Sequence, residues 1–240
     1  MKPYHTQRSK KEEVQTMFDR IAPRYDLLNH TLSLNIDRLW RRRVVEEVRR
    51  GRPQRVLDVA TGTGDLALET ARRMPGVQVT GVDLSERMLD AARRKAAARG
   101  LDGRVTLVQG DAERLGFDDA SFDAATVAFG VRNFGDLDAG LRELARTIRP
   151  GGRIVILEFS RPRNRVFRAL FEFYSFRILP LVGGAVSRDR QAYAYLPASV
   201  GAFPAPEEFM RMMERAGFAG CCARSQSFGI AQIYIGHRPE

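Results

Sequence analysis

Cysteine is almost missing from this chain of 240 residues: Cys221 and Cys222 stand side by side and no others occur. Adjacent cysteines rarely bridge each other, and a lone pair cannot build a disulfide framework or a zinc site, so a reducing, cytoplasmic setting is expected and no metal. No apolar run approaches the roughly 18 residues needed to span a bilayer. The N-terminal stretch MKPYHTQRSKKEEV has no apolar core of a secretion signal, so none is expected. Repeats and low-complexity tracts are absent. Histidine is confined to His5, His30 and His237, and lysine to four positions against 35 arginines. What is present, 44% hydrophobic and 28% charged residues, suits one folded domain with a full core.

The net charge of +10 is uneven. Residues 1–55 hold 14 basic and 7 acidic residues, or +7, which leaves +3 for the rest. Arg41, Arg42, Arg43, Arg49 and Arg50 could face nucleic acid or an anionic membrane, or could simply be the solvated face of a helix in an arginine-rich protein.

Residues 10–22 and 36–50 carry helical patterning, punctuated by Pro23 and Pro53. From residue 55 strands and helices alternate: strands at 55–60, 77–83, 104–110, 122–129 and 153–159, helices at 65–74, 86–99 and 136–149. Ser85 reads as a helix N-cap and Gly100 as a stop. A helix at 206–218 and two strands within 219–237 follow. This spacing predicts an α/β fold with a mostly parallel, Rossmann-like sheet and helices on both faces, its ligand at the carboxyl ends of the strands. The expected organisation is an N-terminal helical extension over 1–52, acting as a lid, and a main domain over 53–240 with a covering insertion at about 161–205.

The run RVLDVATGTGD (55–65) supplies a glycine turn after the first strand. A dinucleotide site needs a third glycine, and here Gly62 and Gly64 are followed by Asp65, Leu66 and Ala67. Asp58 and Asp65 would repel a pyrophosphate by about 1 kcal/mol or more each even with water-like screening. A ligand with a cationic amino-acid end fits better. Asp83, at the end of the second strand, stands where a carboxylate can accept from both hydroxyls of a ribose. Asp111 and Ala112, at the end of the third, suit an adenine. Together these features predict S-adenosyl-L-methionine, with Asp58, Gly62, Gly64, Asp83, Leu84, Asp111 and Ala112 as its binding residues.

VLDVATGTGD, GVDLSERML, GDAERLGFDDASFD and RPGGRIVILEFSRP resemble class I S-adenosylmethionine-dependent methyltransferases. MFDRIAPRYDLLNHTLSLNIDRLWRR (17–42), FGVRNF (129–134) and FYSFRILPLVGGAVSRDRQAYAYLPASVGAFP (173–204) more specifically resemble the ubiquinone/menaquinone biosynthesis C-methyltransferases, chiefly their naphthoquinol-methylating branch. The resemblance covers about residues 14–238. It implies a class I, seven-stranded fold, S-adenosylmethionine as methyl donor with contacts at Thr63, Asp83, Asp111 and Ala112, and methylation of a ring carbon of a prenylated naphthoquinol, demethylmenaquinol giving menaquinol. Action on a prenylated benzoquinol as well is the alternative. Many members carry serine where this chain has Ala128, so only packing or a backbone contact is expected there.

Methyl transfer from a sulfonium needs positioning and an electron-rich acceptor. Arg132 could stabilise a developing phenolate and Asn133 could orient its hydroxyl, while Tyr25 and Asp26 could close over the cofactor. A water relayed by Arg132 or Asp26 is one route for the proton, and His30 reads as a surface or capping residue. Residues 165–182 read either as a core helix or as a wall for a prenyl tail, with arginines touching anionic headgroups. A cytoplasmic enzyme visiting the inner face of the cell membrane follows, with no nucleic-acid partner. Against an RNA methyltransferase, the Asn/Asp-Pro-Pro-aromatic signature is absent from AFGVRNF. A nicotinamide oxidoreductase fails on the glycine turn, and a non-catalytic binding protein is disfavoured by the intact cofactor residues.

Overall fold

A computed structural model describes residues 2–174, 177 and 190–240. Its seven strands form one sheet in the order β3-β2-β1-β4-β5-β7-β6, with β7 antiparallel to both neighbours and the other pairings parallel. They are β1 (Arg55–Val59), β2 (Gln78–Asp83), β3 (Val105–Gln109), β4 (Phe122–Ala128), β5 (Ile148–Phe159), β6 (Ala219–Gln226) and β7 (Ala231–His237). The strand order reverses between β1 and β4, which opens a crevice at their carboxyl ends.

Alternation along each strand feeds two apolar layers. Val56, Val155, Leu157 and Ile233 pack with α3 (Ile36–Arg49), α4 (Asp65–Arg73) and α5 (Glu86–Ala98). Leu57, Ala125, Ile154, Ile156 and Tyr234 pack with α6 (Leu137–Thr147) and a late helix at Pro206–Arg215 on the other face. Trp40, Val44, Val45 and Val48 of α3 are buried in the first layer, so α3 belongs to the core of the sheet domain. The part of residues 1–52 that lies over the crevice is α1 (Lys10–Ile21) and α2 (Tyr25–Leu32).

Local chemistry sets the helix starts. Ser9 and Glu12 form a reciprocal capping box on α1, Ser85 caps α5 and Asp136 caps α6. Gly64 has φ +79°, a left-handed geometry that lets the turn swing into α4. The strand expected at 153–159 begins earlier, at Ile148. Pro150, Gly151 and Gly152 lie inside β5 at a register shift against β4, because a strand absorbs extra residues as a bulge without ending. Helix α2 was not legible from periodicity. It is short, and Pro23 sits in the 3₁₀ turn before it.

After β5 come α7 (Arg165–Phe173), α8 (Arg190–Ala202) and α9 (Pro206–Arg215). No residue of α7 is buried, so it is not a core helix. Residues 175, 176 and 178–189 of the expected insertion, and that part of the 173–204 motif, lie outside the described residues. Val14, Met17 and Ile21 of α1, Met88 of α5 and Ala192 and Tyr195 of α8 form a third apolar cluster that seats the cap on the domain. No helix among the described residues is long and apolar enough to cross a membrane.

Ile156 is fully buried in the central strand β5. Truncation to alanine removes apolar contacts and leaves a cavity, so Ile156→Ala is expected to cost about 2–5 kcal/mol in chemical denaturation while retaining the fold.

Candidate active site

The ends of β1 to β4 converge on a cleft floored by Gly62, Asp83, Leu84, Asp111 and Ala112, with Ala128, Phe129, Gly130 and Asn133 on its wall. Lys11, Gln15, Phe18 and Tyr25 cover it from α1 and α2, leaving about 70 Å³ of free space. Two backbone features fix this floor. Ala60 and Phe129 hold φ of +52° and +59° at the ends of β1 and β4. The two ends approach so closely that a Cβ at Gly130 would sit 2.5 Å from that of Ala60.

Asp83 lines the cleft at the end of β2. Its two carboxylate oxygens accept from the backbone N–H groups of Gly62 (2.8 Å) and Ser85 (2.9 Å), which aim it into the cleft. Protein surroundings strip water from it and push its pKa up to about 6. Ala112 and Leu84 line the cleft as expected. Asp111 does too, but Lys11 Nζ holds its carboxylate at 2.5 Å, so an adenine amine must displace that ammonium or share it.

Other expected cofactor residues lie behind the cleft. Asp58 does not line it: the side chain is 1% exposed and accepts from the hydroxyls of Thr61 and Thr126, both at 2.6 Å. Burial pushes its pKa up to about 6, and it ties β1 to β4 and to the turn. Thr63 and Gly64 also lie outside the lining. The Thr63 hydroxyl donates to Asp26, and Lys95 Nζ donates to Asp26 (2.6 Å), Asp65 (2.5 Å) and Thr63 (3.2 Å). Asp26 thus latches α2 to the glycine turn and faces neither cavity, so it is not placed to move a substrate proton.

The negative rim expected from Asp58 and Asp65 is not there. Burial alone would raise the pKa of Asp65, but the hydrogen bond from His30 and the charges of Arg41 and Lys95 outweigh it and hold the group well below the usual carboxylate range. His30 is not a surface residue. It bridges Asp37 (2.9 Å) and Asp65 (3.2 Å), and the hydrogen bond to Asp65 raises its pKa. Asp26, His30 and Asp65 are grouped closely enough for a metal, but the Lys95 ammonium already donates to both carboxylates.

A second cavity of about 300 Å³ adjoins the cleft. Met17, Ile21, Trp40, Phe159, Phe171, Tyr174, Leu196 and Val200 give it apolar walls, and Asn29, Ser33, Asp37, Arg41 and Arg132 add polar groups to its lining. Phe18, Tyr25 and Phe129 line both spaces. The rings of Phe18 and Tyr25 meet edge to face at 5.9 Å across the junction. Burial raises the pKa of Tyr25, which keeps its hydroxyl protonated.

Arg132 and Asn133 separate. Arg132 lines the apolar cavity, where its Nη1 donates to Glu158 Oε1 (2.7 Å) and to the Phe129 carbonyl. Glu158 is fully buried, and burial raises its pKa against the pull of Arg132. Asn133 lines the cleft instead and accepts from the Tyr195 hydroxyl at 3.2 Å.

Sequence reasoning missed Lys10, Lys11, Lys95, Glu158 and Tyr195. For the lysines a signal existed in their rarity. Lys10 donates to the carbonyls of Arg132 and Phe134, so all the lysines but Lys2 tie together the parts of this site. A compact ammonium with three donors can serve three converging oxygens where a planar guanidinium cannot.

The residues fit S-adenosylmethionine: a hydrogen-bonded carboxylate for a diol, a small residue with an adjacent acid for a base, and aromatic faces at Tyr25 and Phe129 for a sulfonium. Asp83 accepts a diol best when ionised. Cofactor affinity should therefore rise with pH through about 6 and level off above it, with a loss of up to about tenfold per unit below. Calorimetric titration of wild type and Asp83→Asn between pH 5 and 8 checks this. The variant should bind weakly with a flat profile, and Asp83→Ala should not bind.

Comparison with known proteins agrees with this geometry. The chain is 49% identical over 230 residues to the ubiquinone/menaquinone biosynthesis C-methyltransferase UbiE of Geobacter sulfurreducens, covering 95% of this chain and 90% of the relative. It is 50% identical over 225 residues to the demethylmenaquinone methyltransferase of Thermus thermophilus, covering 93% and 100%. Among solved structures, the [4+2]-cyclase SpnF superposes with a TM-score of 0.70 at 19% identity, over 95% of this chain and 97% of that one, a likeness of fold. The model of the ubiE/COQ5 methyltransferase family matches residues 6–238, and the chain belongs to that family.

Proposed function

We propose that the protein uses S-adenosylmethionine to methylate a ring carbon of a prenylated naphthoquinol, converting demethylmenaquinol to menaquinol in menaquinone biosynthesis. The observation that carries this reading is the junction at Phe18, Tyr25 and Phe129, where a polar nucleoside cleft opens onto an apolar cavity. Relatives at about half identity over nearly the whole chain are named for this activity. Apolar walls favour a prenylated ring over a polynucleotide, and Asp83 disfavours a diphosphate.

When bound, the cofactor supplies an activated methyl group on a positively charged sulfur. The protein's work is then to position the ring and manage its protons. Arg132 and Arg41 line the apolar cavity, where their charge lowers the cost of a ring phenolate. That phenolate pushes an electron pair toward the carbon that takes the methyl as the methyl–sulfur bond breaks and its electron pair stays on sulfur; the ring proton is then lost to solvent, and its bonding pair restores aromaticity. Arg132 is held for this by Glu158 and by Ser199, whose hydroxyl lies 3.3 Å from Nε. The aromatic walls exclude water from the junction. The ring enters with its tail toward Phe171, Tyr174, Leu34 and Ile36, and the substrate's lipid character brings the enzyme to an anionic membrane surface.

Labelled S-adenosylmethionine with reduced demethylmenaquinone is expected to add the mass of one methyl group to the lipid, and mass analysis with no such gain overturns the assignment. A demethylated benzoquinol in parallel measures ring specificity. Arg132→Gln should slow turnover with cofactor affinity nearly intact, and by leaving Glu158 unpaired should cost about 3 kcal/mol of stability. Adding Glu158→Gln should restore most of the melting temperature and leave turnover slow. Recovery of turnover in the double variant would make Arg132 structural only.

A further inference from the structure

Helix α7 carries more apolar surface than its packing uses. At 100° per residue, Phe167, Phe171 and Tyr174 form one stripe, and Val166, Leu170 and Phe173 form a second beside it. The first stripe turns inward. Phe171 and Tyr174 line the apolar cavity, and Phe167 stacks on Phe228 at 4.3 Å with the rings nearly parallel. The second turns outward: Val166, Leu170 and Phe173 are 67%, 60% and 60% exposed. Across the same cavity, Leu34 and Ile36 between α2 and α3 line its wall, and Leu27, Leu34 and Leu39 are themselves exposed. Among the described residues, exposed apolar side chains therefore stand on both elements that line this cavity.

The charges around them are mostly positive. From Arg161 to Phe173 there are four arginines and one acid, Glu172; Arg161, Arg163, Arg165 and Arg168 are all exposed, and Arg163 pairs with Glu207. On the α2–α3 side Arg24, Arg38 and Arg42 are exposed, whereas Asp37 is buried and Asp26 is held by Lys95. A cationic rim around exposed aliphatic and aromatic side chains is the complement of an anionic bilayer, whose headgroups meet the arginines while the apolar tips enter the acyl boundary. A soluble protein partner would need a matching acidic rim and would leave the cavity closed to a lipid.

We infer that the outer face of α7 and the α2–α3 turn form a docking port for an anionic bilayer, holding the mouth of the apolar cavity at the membrane so that a prenyl tail stays in lipid while its ring reaches Tyr25. The inference rests on the quinol-lipid reading and adds to it the face, the residues and the charge of the membrane. Neither Val166, Leu170 and Phe173 nor Arg38 and Arg165 line either cavity.

Vesicle co-sedimentation tests this, using phosphatidylcholine alone against phosphatidylcholine with phosphatidylglycerol. Wild type should bind the anionic vesicles and release at high salt. Val166→Ser/Leu170→Ser/Phe173→Ser and Arg38→Glu/Arg165→Glu should each bind about tenfold more weakly or worse. Both should keep wild-type cofactor affinity and wild-type methylation of a short-chain, water-soluble quinol, and lose a similar factor on a long-chain quinol in vesicles. Wild-type vesicle binding by both variants overturns the port, as does equal binding to neutral and anionic vesicles. A dimer that the serine variant dissociates, with no vesicle binding, assigns the face to a second copy and also overturns it. Vesicle binding with the expected losses but no methylation of any quinol leaves the port standing and sinks the substrate reading.

Discussion

The site depends on how the ends of β1 and β4 meet. β1 has β2 on one side and β4 on the other, and the chain leaves these strands toward opposite faces of the sheet. The crevice this opens is held to one width by Asp58, which reaches from β1 to the Thr126 hydroxyl on β4 and the Thr61 hydroxyl in the turn. Above it, Gly130 lets Ala60 approach, and Ala60 and Phe129 adopt left-handed backbone. A wider gap would lose the floor under Gly62 and Asp83, and a side chain at Gly130 would force the strands apart. The buried carboxylate is itself unfavourable when ionised, with its pKa pushed up to about 6, so stability is spent here on geometry.

Charge around the crevice is balanced within the protein. Lys95 and His30 neutralise Asp65, Lys11 neutralises Asp111, and Arg132 pairs with buried Glu158. Among the described residues Asp83 has no such cationic partner and stays open to a ligand. The same pairs join the cap to the body: Lys95 links α5 to α2 through Asp26, and Lys10 and Lys11 link α1 to the loops after β4 and β3. Besides these ion pairs, the small apolar cluster of Val14, Met17 and Ile21 with Tyr195 holds the cap on the body. Phe18, Tyr25 and Phe129 line both the cleft and the apolar cavity, so the two spaces share an aromatic boundary.

The primary sequence determined much of this. Strand alternation, the helix caps and the glycine turn specify the parallel sheet and the crevice, because each depends on neighbours along the chain. Asp83, Leu84, Asp111 and Ala112 were legible for the same reason: they end strands, and strand ends in such a sheet face the ligand. The resemblance to quinol methyltransferases likewise rested on local blocks of residues. Tertiary structure alone decided the rest. That Asp58 lies beneath the crevice and Asp65 is neutralised could not be read from their places beside the glycines, since Lys95 and His30 approach from elsewhere in the chain and only folding gives them a common dielectric and distance. Asp26 turning toward Thr63, Arg132 parting from Asn133 into a different cavity, and α7 leaving an apolar face uncovered follow from which long-range neighbours each side chain meets, and periodicity carries no record of them.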